Sequence, residues 1–272
     1  MGEPRYVRRF EAADRLQHLV LLVTFLGLAA TGLPLLFSDA AWARPMAQLV
    51  GGFGVTGTLH RVFAVGLIGV FLTHVALVAR RLLRGEPGLL WGPTSLVPQP
   101  RDLVELYRHV QWFLWRGPKP AFDRYTYWEK FDYLAVFWGM VIIGISGLML
   151  WFPEFFARRL PGWAFNVALL VHGEEALLAV GFIVTIHFFN SHMRPHKFPM
   201  DVVMFTGVVL EDEYARERPL EYARWRASGA LDAKLAPPPD PVLARRARLG
   251  GFAAMAVGLF LFLLIVVASL TR

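Results

Sequence analysis

The segment LHRVFAVGLIGVFLTHVALVARRL, residues 59–82, is apolar enough to cross a bilayer, yet it carries two histidines and several arginines. A helix needs about 20 predominantly apolar residues to span the hydrocarbon core. Ionisable residues inside such segments are rare and indicate functional sites by default. His60 and His74, which have thirteen residues between them, are therefore the first candidates for a site.

The rest of the chain has the composition of a membrane protein. Of its 272 residues, 56% are hydrophobic and only 18% are charged, whereas soluble domains carry about 25% charged residues. The apolar runs do not alternate as barrel strands do, and a helix satisfies its own backbone hydrogen bonds in lipid. The sequence therefore predicts an all-α membrane protein with five transmembrane helices, over residues 19–37, 59–79, 133–152, 167–189 and 250–270.

The positive charges predict the orientation. Twenty-three Lys and Arg residues lie in the N-terminal tail, in the 80–130 connection and in the 191–248 segment, against four in the other three extramembrane segments. Basic loops stay in the cytoplasm, so we expect a cytoplasmic N-terminus and a periplasmic C-terminus. The net charge of +7 then reflects topology and contact with anionic lipid, and no nucleic-acid partner is expected.

Three parts follow from this pattern. A four-helix bundle over residues 1–209 includes the cytoplasmic connection 80–130, in which a short helix is predicted near residues 102–114. Residues 210–249 form a cytoplasmic segment with a Pro-rich spacer. The last helix, within residues 250–272, has no ionisable residue in its apolar run, so we interpret it as an anchor or a docking helix rather than part of a site.

Four histidines occupy matched depths in two helices. His60 and His74 lie 14 residues apart, about 21 Å along a helix, and His172 and His187 lie 15 apart, about 22.5 Å. At about 100° per residue, each pair ends within about 60° of one face. Both helices run from outside to inside, so His60 matches His172 near the outer surface and His74 matches His187 near the inner surface.

This arrangement suits two haem b groups, each with two axial histidines. The chain has no cysteine, which excludes disulfides, thiolate-ligated clusters and covalent CxxCH attachment of haem. For any one of these histidines, taken alone, a hydrogen bond between helices is the alternative. Small residues that permit close approach of helices or of a flat macrocycle are Gly27, Ala29, Ala30, Gly32, Gly139, Gly144 and Gly147.

Three charged residues lie near the outer histidines. Arg61 is a candidate partner for a haem propionate, with snorkelling to the outer interface as the alternative. Glu175 shares the face of His172, three residues away, and is a candidate to bond a ligand histidine, pair with Arg61 or relay protons. Glu174 points elsewhere, toward a partner subunit. Purely structural pairing is the alternative for both carboxylates.

Two families resemble this chain. HRVFA with HV nine residues later resembles the second helix of cytochrome b in bc-type quinol-oxidising complexes, and the His-x14-His-Phe pattern of 172–188 resembles the fourth helix of its photosynthetic version. Over roughly residues 5–226, the chain resembles the gamma (cytochrome b) subunit of respiratory formate dehydrogenases and related hydrogenase and thiosulfate-reductase subunits. The stretches are DRLQH, TGLPLLF, LHRVFAVG, EKFDYLAVFWGMVIIGISGLMLWFP, LPGWAFNVALLVHGEEALLAV and ERPLEYARW.

The second resemblance implies a function. It implies a four-helix, di-haem b protein of the bacterial inner membrane that moves electrons between the quinone pool and a periplasmic redox partner. A multihaem cytochrome c or an iron–sulfur subunit is the implied partner, within a hetero-oligomeric complex. Substrate chemistry would belong to that partner, so this chain would contribute at most the quinone half-reaction. The fifth helix departs from the four-helix pattern.

The two families disagree about the inner haem. The formate-dehydrogenase type implies His18 with His187, and the bc type implies His74 with His187. Because the spacings match at both depths, the sequence favours His74. His18 would then serve a quinone, a proton or a third haem, for which His192 is a candidate partner.

The resemblance also implies a quinone site near the inner haem, within RYTYWEKF (124–131), although the family motif has Asn and Gly where Thr126 and Trp128 stand. A belt of interfacial charges is the alternative. The candidates for quinone binding or proton exchange are Arg15, His18, Thr126, Glu129, Lys130, Asp132 and His192. Two other functions stay open: a haem-free membrane anchor, and a proton- or ion-conducting subunit that uses the histidines and the outer carboxylates.

Overall fold

A computed structural model describes residues 4–271. Five of its helices are long and apolar enough to cross a membrane, which confirms that prediction and makes the chain an all-α multi-pass membrane protein. The helices are α1 Ala12–Leu36, α2 Ala43–Gln48, α3 Phe53–Leu83, α4 Pro100–Phe113, α5 Tyr127–Trp151, α6 Pro153–Ala157, α7 Trp163–Phe182, α8 Val203–Thr206, α9 Glu211–Glu217, α10 Pro219–Ser228 and α11 Pro241–Leu270.

The described chain divides into two compact units, each built from three separate segments. Unit 1 comprises residues 4–15, 75–137 and 203–244, and unit 2 comprises 16–74, 138–202 and 245–271. The sequence boundaries at residues 209 and 249 do not coincide with this division. Apolar composition defines the boundaries read from sequence, whereas long-range contacts define the units.

The core of unit 2 joins three of the long helices. Ala29, Leu33 and Phe37 of the α1 region contact Val180 of α7, and the last helix adds Leu261, Ile265 and Ala268. Close approach requires small residues here: a Cβ on Gly258 would lie 2.9 Å from the Phe188 ring. The fifth helix is therefore an integral part of this unit.

The end of α7 departs from regular α-helix. Two π turns follow it, Ile183–His187 and Phe189–Met193, and the apolar span continues through them. A π turn accommodates more residues than an α turn and often marks a functional site. Both turns end beside a candidate residue, the first at His187 and the second next to His192.

Unit 1 contains a small sheet that the sequence did not predict. Three antiparallel strands lie in the order β2–β1–β3, with β1 Tyr6–Arg8 between β2 Val208–Leu210 and β3 Leu235–Ala236. Strands of two or three residues are too short to show alternation. Val7 and Val209 form a small core with Tyr214 and Trp225, whose rings stack at 4.8 Å.

Candidate functional site

The outer candidate pair consists of His60 on α3 and His172 on α7. Their ring centres lie 6.3 Å apart, with the ring planes at 78°. This separation is near the upper end of the range for aromatic ring pairs, about 4.5–7 Å.

The hydroxyl of Thr31 on α1 orients His60. Thr31 Oγ1 donates to the Gly27 carbonyl at 2.7 Å and lies 3.1 Å from His60 Nδ1. Because its only proton is directed at the carbonyl, the hydroxyl accepts from Nδ1–H. The neutral ring then keeps a free lone pair on Nε2, which is the arrangement that metal-ligating histidines use.

Helix α5 orients His172 in the same way. His172 Nδ1 lies 3.0 Å from the Ile143 carbonyl and 3.2 Å from Ser146 Oγ. A carbonyl oxygen only accepts, so Nδ1 carries the proton. The Ser146 hydroxyl donates to the Ile142 carbonyl at 2.7 Å, so it accepts from His172 as Thr31 does from His60. His172 Nε2 therefore also presents a lone pair.

Two glycines make room for these rings. A Cβ on Gly32 of α1 would lie 3.0 Å from His60 Cε1, and a Cβ on Gly147 of α5 would lie 2.8 Å from His172 Cε1. Neither ring could keep its position beside alanine. Of the other glycines predicted to permit close approach, Gly27 faces the Phe63 ring, whereas a Cβ on Gly144 would meet nothing within 4 Å.

The inner candidate pair consists of His18 and His187. Their ring centres lie 6.5 Å apart, with the planes at 31°. The sequence favoured His74 as the partner of His187, but the structure sets His18 opposite it. His74 Nδ1 lies 3.0 Å from Gln17 Oε1. The π turn that ends at His187 alters the azimuth expected from a regular helix, on which the preference for His74 depended.

The spacing of both pairs fits one iron atom between two imidazoles. A ring nitrogen lies about 1.2 Å from the ring centre and binds a divalent transition metal at about 2.0 Å, so two rings in line on one ion have centres about 6.4 Å apart. The observed values are 6.3 and 6.5 Å. Within residues 4–271, no group of three or more His, Asp or Glu side chains is arranged for a bare metal ion. A haem needs only two protein ligands, because its porphyrin supplies four.

His192 is arranged differently. Its Nδ1 accepts a hydrogen bond from the Asp201 backbone N–H at 3.3 Å. The neutral ring therefore carries its proton on Nε2 and has no free lone pair for iron. This arrangement argues against the third haem and leaves Nε2–H as a hydrogen-bond donor.

Arg61 and Glu175, two of the outer charged residues, each contact a tryptophan of the described chain. The Arg61 guanidinium lies 5.7 Å from the centre of the Trp151 ring, within cation–π range. The Trp138 indole N–H donates to Glu175 at 3.5 Å, which is a long hydrogen bond. Glu174 is exposed, two residues past His172 and on the other side of α7.

Most of the predicted quinone residues are engaged in the fold of unit 1. Thr126 N–H and Oγ1 both donate to Glu129 at 2.8 Å and cap the start of α5. Glu129 also pairs with Arg218 at 2.9 Å and with Arg9 at 3.5 Å. Lys130 is 1% exposed and binds Asp102 at 2.7 Å. These contacts explain the residues without a quinone.

Arg15 and Asp132 complete the predicted quinone group. Arg15 Nε donates to the Phe205 carbonyl at 2.9 Å. This hydrogen bond joins the first turn of α1 to α8. Asp132 is half-buried on the first turns of α5. Both residues lie in unit 1, whereas His18 and His192 lie in unit 2.

Sequence reasoning missed a buried ion network in unit 1. Arg9 contacts Glu129, the Tyr214 hydroxyl and Glu221, and Arg124 pairs with Glu221 at 3.2 Å. Burial alone would lower the pKa of Arg9, but Tyr214 and Glu129 outweigh it and raise that pKa. From sequence, residues 210–249 were expected to form a cytoplasmic segment with a Pro-rich spacer.

Sequence reasoning also missed the groups that orient the outer histidines, Thr31, Ser146 and the Ile143 carbonyl. Two hydroxyl residues in apolar helices, each near the depth of a histidine, are the signal that was available.

A scan against protein-family models and a search of curated proteins found no match for this chain. The geometry of the histidine pairs therefore carries the functional argument.

Proposed function

We propose that this protein is an integral membrane b-type cytochrome that transfers electrons across the cytoplasmic membrane between the quinone pool and a periplasmic redox partner. One observation carries the proposal: two histidine pairs have the spacing of bis-imidazole iron, at 6.3 and 6.5 Å. In the outer pair, both Nδ1–H groups donate hydrogen bonds, so both Nε2 atoms keep a free lone pair.

His60 and His172 would hold an outer haem, and His18 with His187 would hold an inner one. Haem iron supplies one-electron chemistry by alternating between the ferric and ferrous states. Thr31, Ser146 and the Ile143 carbonyl fix the orientation of the two outer rings and strengthen their electron donation by accepting the Nδ1 protons. Gly32 and Gly147 leave space for the rings.

The proposal places the two sites at different depths. His172 and His187 lie fifteen residues apart on one apolar span, a separation of about 22.5 Å in regular α-helix. Electrons would pass between the outer and the inner site and thus across most of the bilayer. The distribution of Lys and Arg supports an inner site on the cytoplasmic side, and the proposal takes the membrane to be a bacterial inner membrane.

A quinone site near the inner haem completes the proposal. Thr126, Glu129 and Lys130 are engaged in the fold, so His192 is the better candidate among the predicted residues. Its Nε2–H is a suitable donor to a quinone carbonyl. A periplasmic multihaem cytochrome c or an iron–sulfur subunit would complete the electron path, since this chain has no cysteine.

The full-length protein, purified in detergent, tests the proposal. A reduced-minus-oxidised spectrum should show a b-type α band, and pyridine haemochrome analysis should give two haems per chain. His60→Ala should leave one. A colourless protein would refute the proposal and favour the haem-free anchor or the ion-conducting subunit.

A further inference from the structure

Helix α4 of unit 1 is amphipathic, but its polar face is the buried one. Asp102 and His109 are buried, and Glu105 lies between them on the same side of the helix. Asp102 binds Lys130 at 2.7 Å and accepts the Gln99 N–H at 2.6 Å. His109 Nδ1 lies 3.0 Å from the Tyr127 hydroxyl. The protein thus satisfies the polar side of α4.

The opposite face of α4 is apolar and exposed. Leu103, Tyr107, Val110 and Leu114 are spaced four, three and four residues apart, which places them on one stripe of about 60°. All four are exposed, Leu103 to 70% and Tyr107 to 63%. A helix that docks on a protein core buries such a stripe. Here the stripe needs an apolar neighbour outside the described chain.

The end of the helix adds an exposed tryptophan. Trp115 follows α4 with φ +54°, the only positive φ among the described residues other than glycine, and it is 93% exposed. Left-handed backbone is uncommon for a bulky residue, and helices usually end with glycine in that conformation. Tryptophan is enriched where membrane meets water, since its ring suits the headgroup level.

Charge identifies the neighbour. Arg108 lies on the flank of α4, about 100° around the helix from Tyr107. Arg116 and Lys119 follow the helix, and all three basic residues are exposed. A Leu, Tyr and Trp face bordered by basic residues is typical of helices that lie in the plane of a membrane surface. Buried protein interfaces, in contrast, are depleted in lysine.

The connectivity keeps α4 near a bilayer. Sixteen residues separate it from the end of α3, and thirteen separate it from the start of α5. Both of those helices are membrane spans. We propose that α4 lies in the surface of the bilayer leaflet next to it. The stripe Leu103, Tyr107, Val110 and Leu114 lies among the acyl chains together with the Trp115 side chain. The basic residues contact anionic headgroups.

Single cysteines test this proposal, because the native chain has none. Leu103→Cys and Val110→Cys would each carry a nitroxide spin label in the full-length protein, reconstituted in nanodiscs with anionic lipid. Ser228→Cys, exposed on α10, is the aqueous control, and Leu263→Cys, exposed on α11, is the membrane control. Electron paramagnetic resonance measures collision with oxygen, which concentrates in lipid, and with a water-soluble nickel chelate.

For labels on α4, the ratio of collisions with oxygen to collisions with the chelate should be several-fold higher than for the label at Ser228→Cys. The label at Leu263→Cys should show the same high ratio. Labels that match Ser228→Cys would overturn the proposal. Labels shielded from both reagents would also overturn it, because a second copy of the chain would then cover the stripe. None of these readings depends on haem, so they are independent of the proposed function.

A second comparison tests the basic residues. In nanodiscs of neutral lipid, the Val110→Cys label should become several-fold more accessible to the chelate than in anionic lipid. The combined substitutions Arg108→Gln, Arg116→Gln and Lys119→Gln should remove that difference. If the wild-type background shows no lipid dependence, the electrostatic half of the proposal is wrong.

Discussion

The substitution Gly147→Ala tests whether the position of His172 determines haem binding. The new Cβ would lie 2.8 Å from His172 Cε1 and 3.3 Å from Nδ1. Ordinary contact begins near 3.4 Å, so the ring must withdraw by about 0.6 Å, which exceeds the tolerance of about 0.5 Å for a functional constellation. The Nδ1 bond to Ile143, now 3.0 Å, would lengthen toward about 3.6 Å and be lost.

We expect this change to weaken the outer haem site about 10- to 100-fold, the usual effect of disturbing the groups that orient a ligand. The purified variant should then retain close to half of the haem. Pyridine haemochrome analysis gives the haem-to-protein ratio, and the α band reports which haem remains.

Gly144→Ala is the matched control on the same helix. Its Cβ would meet nothing within 4 Å, and alanine favours a helix by about 1 kcal/mol over glycine. It should bind as much haem as the wild type. If Gly147→Ala and Gly144→Ala have equal haem content and identical spectra, the ring position does not matter and the reasoning fails.

Three further predictions concern the inner site and unit 1. His18→Ala should lose the inner haem while His74→Ala keeps both, as measured by haem content, and the reverse result would restore the assignment preferred from sequence. Lys130→Met removes the cation that pairs with the buried Asp102 carboxylate and should lower the free energy of unfolding by about 3–5 kcal/mol. Adding Asp102→Asn should recover most of that loss. Equal stability of the single and double variants would contradict this prediction. Burial and then Asp102 raise the pKa of Glu105 from 4.5 to about 7, so the folded protein holds this proton more tightly than the unfolded chain does. The contribution of Glu105 to stability is present below pH 4.5 and is lost as the pH rises to 7. Glu105→Gln should therefore flatten the decline in Tm between those two pH values. An unchanged dependence of Tm on pH in this variant would count against the prediction.

The transmembrane helices could be predicted because composition alone marks them. Twenty apolar residues in a row have few alternatives in lipid. The observed spans are longer than the apolar runs, with α3 extending from Phe53 to Leu83 rather than over residues 59–79. Polar residues at the ends of a span are compatible with the headgroup region, and hydropathy does not count them.

The histidine sites were predictable where the helices are regular. His60 lies on a continuous α-helix, so its rise and azimuth follow from residue counting. His187 lies in a π turn, which no local feature of the sequence announces. His18 precedes the first apolar run, so the matching of depths between the second and fourth spans did not include it.

The sheet and the ion network of unit 1 could not be predicted, because their partners are far apart in sequence. Arg9 and Tyr214 are separated by 205 residues. Periodicity and propensity describe local structure only. Only the folded chain shows which of the many arginines is buried against which carboxylate.

The same network engages several of the residues that were predicted to bind a quinone. Thr126 and Glu129 cap α5, and Arg9 and Arg218 bind Glu129. Buried ion pairs contribute little net stability, because desolvation offsets their attraction. We interpret their contribution as positional: they fix the start of α5 within unit 1.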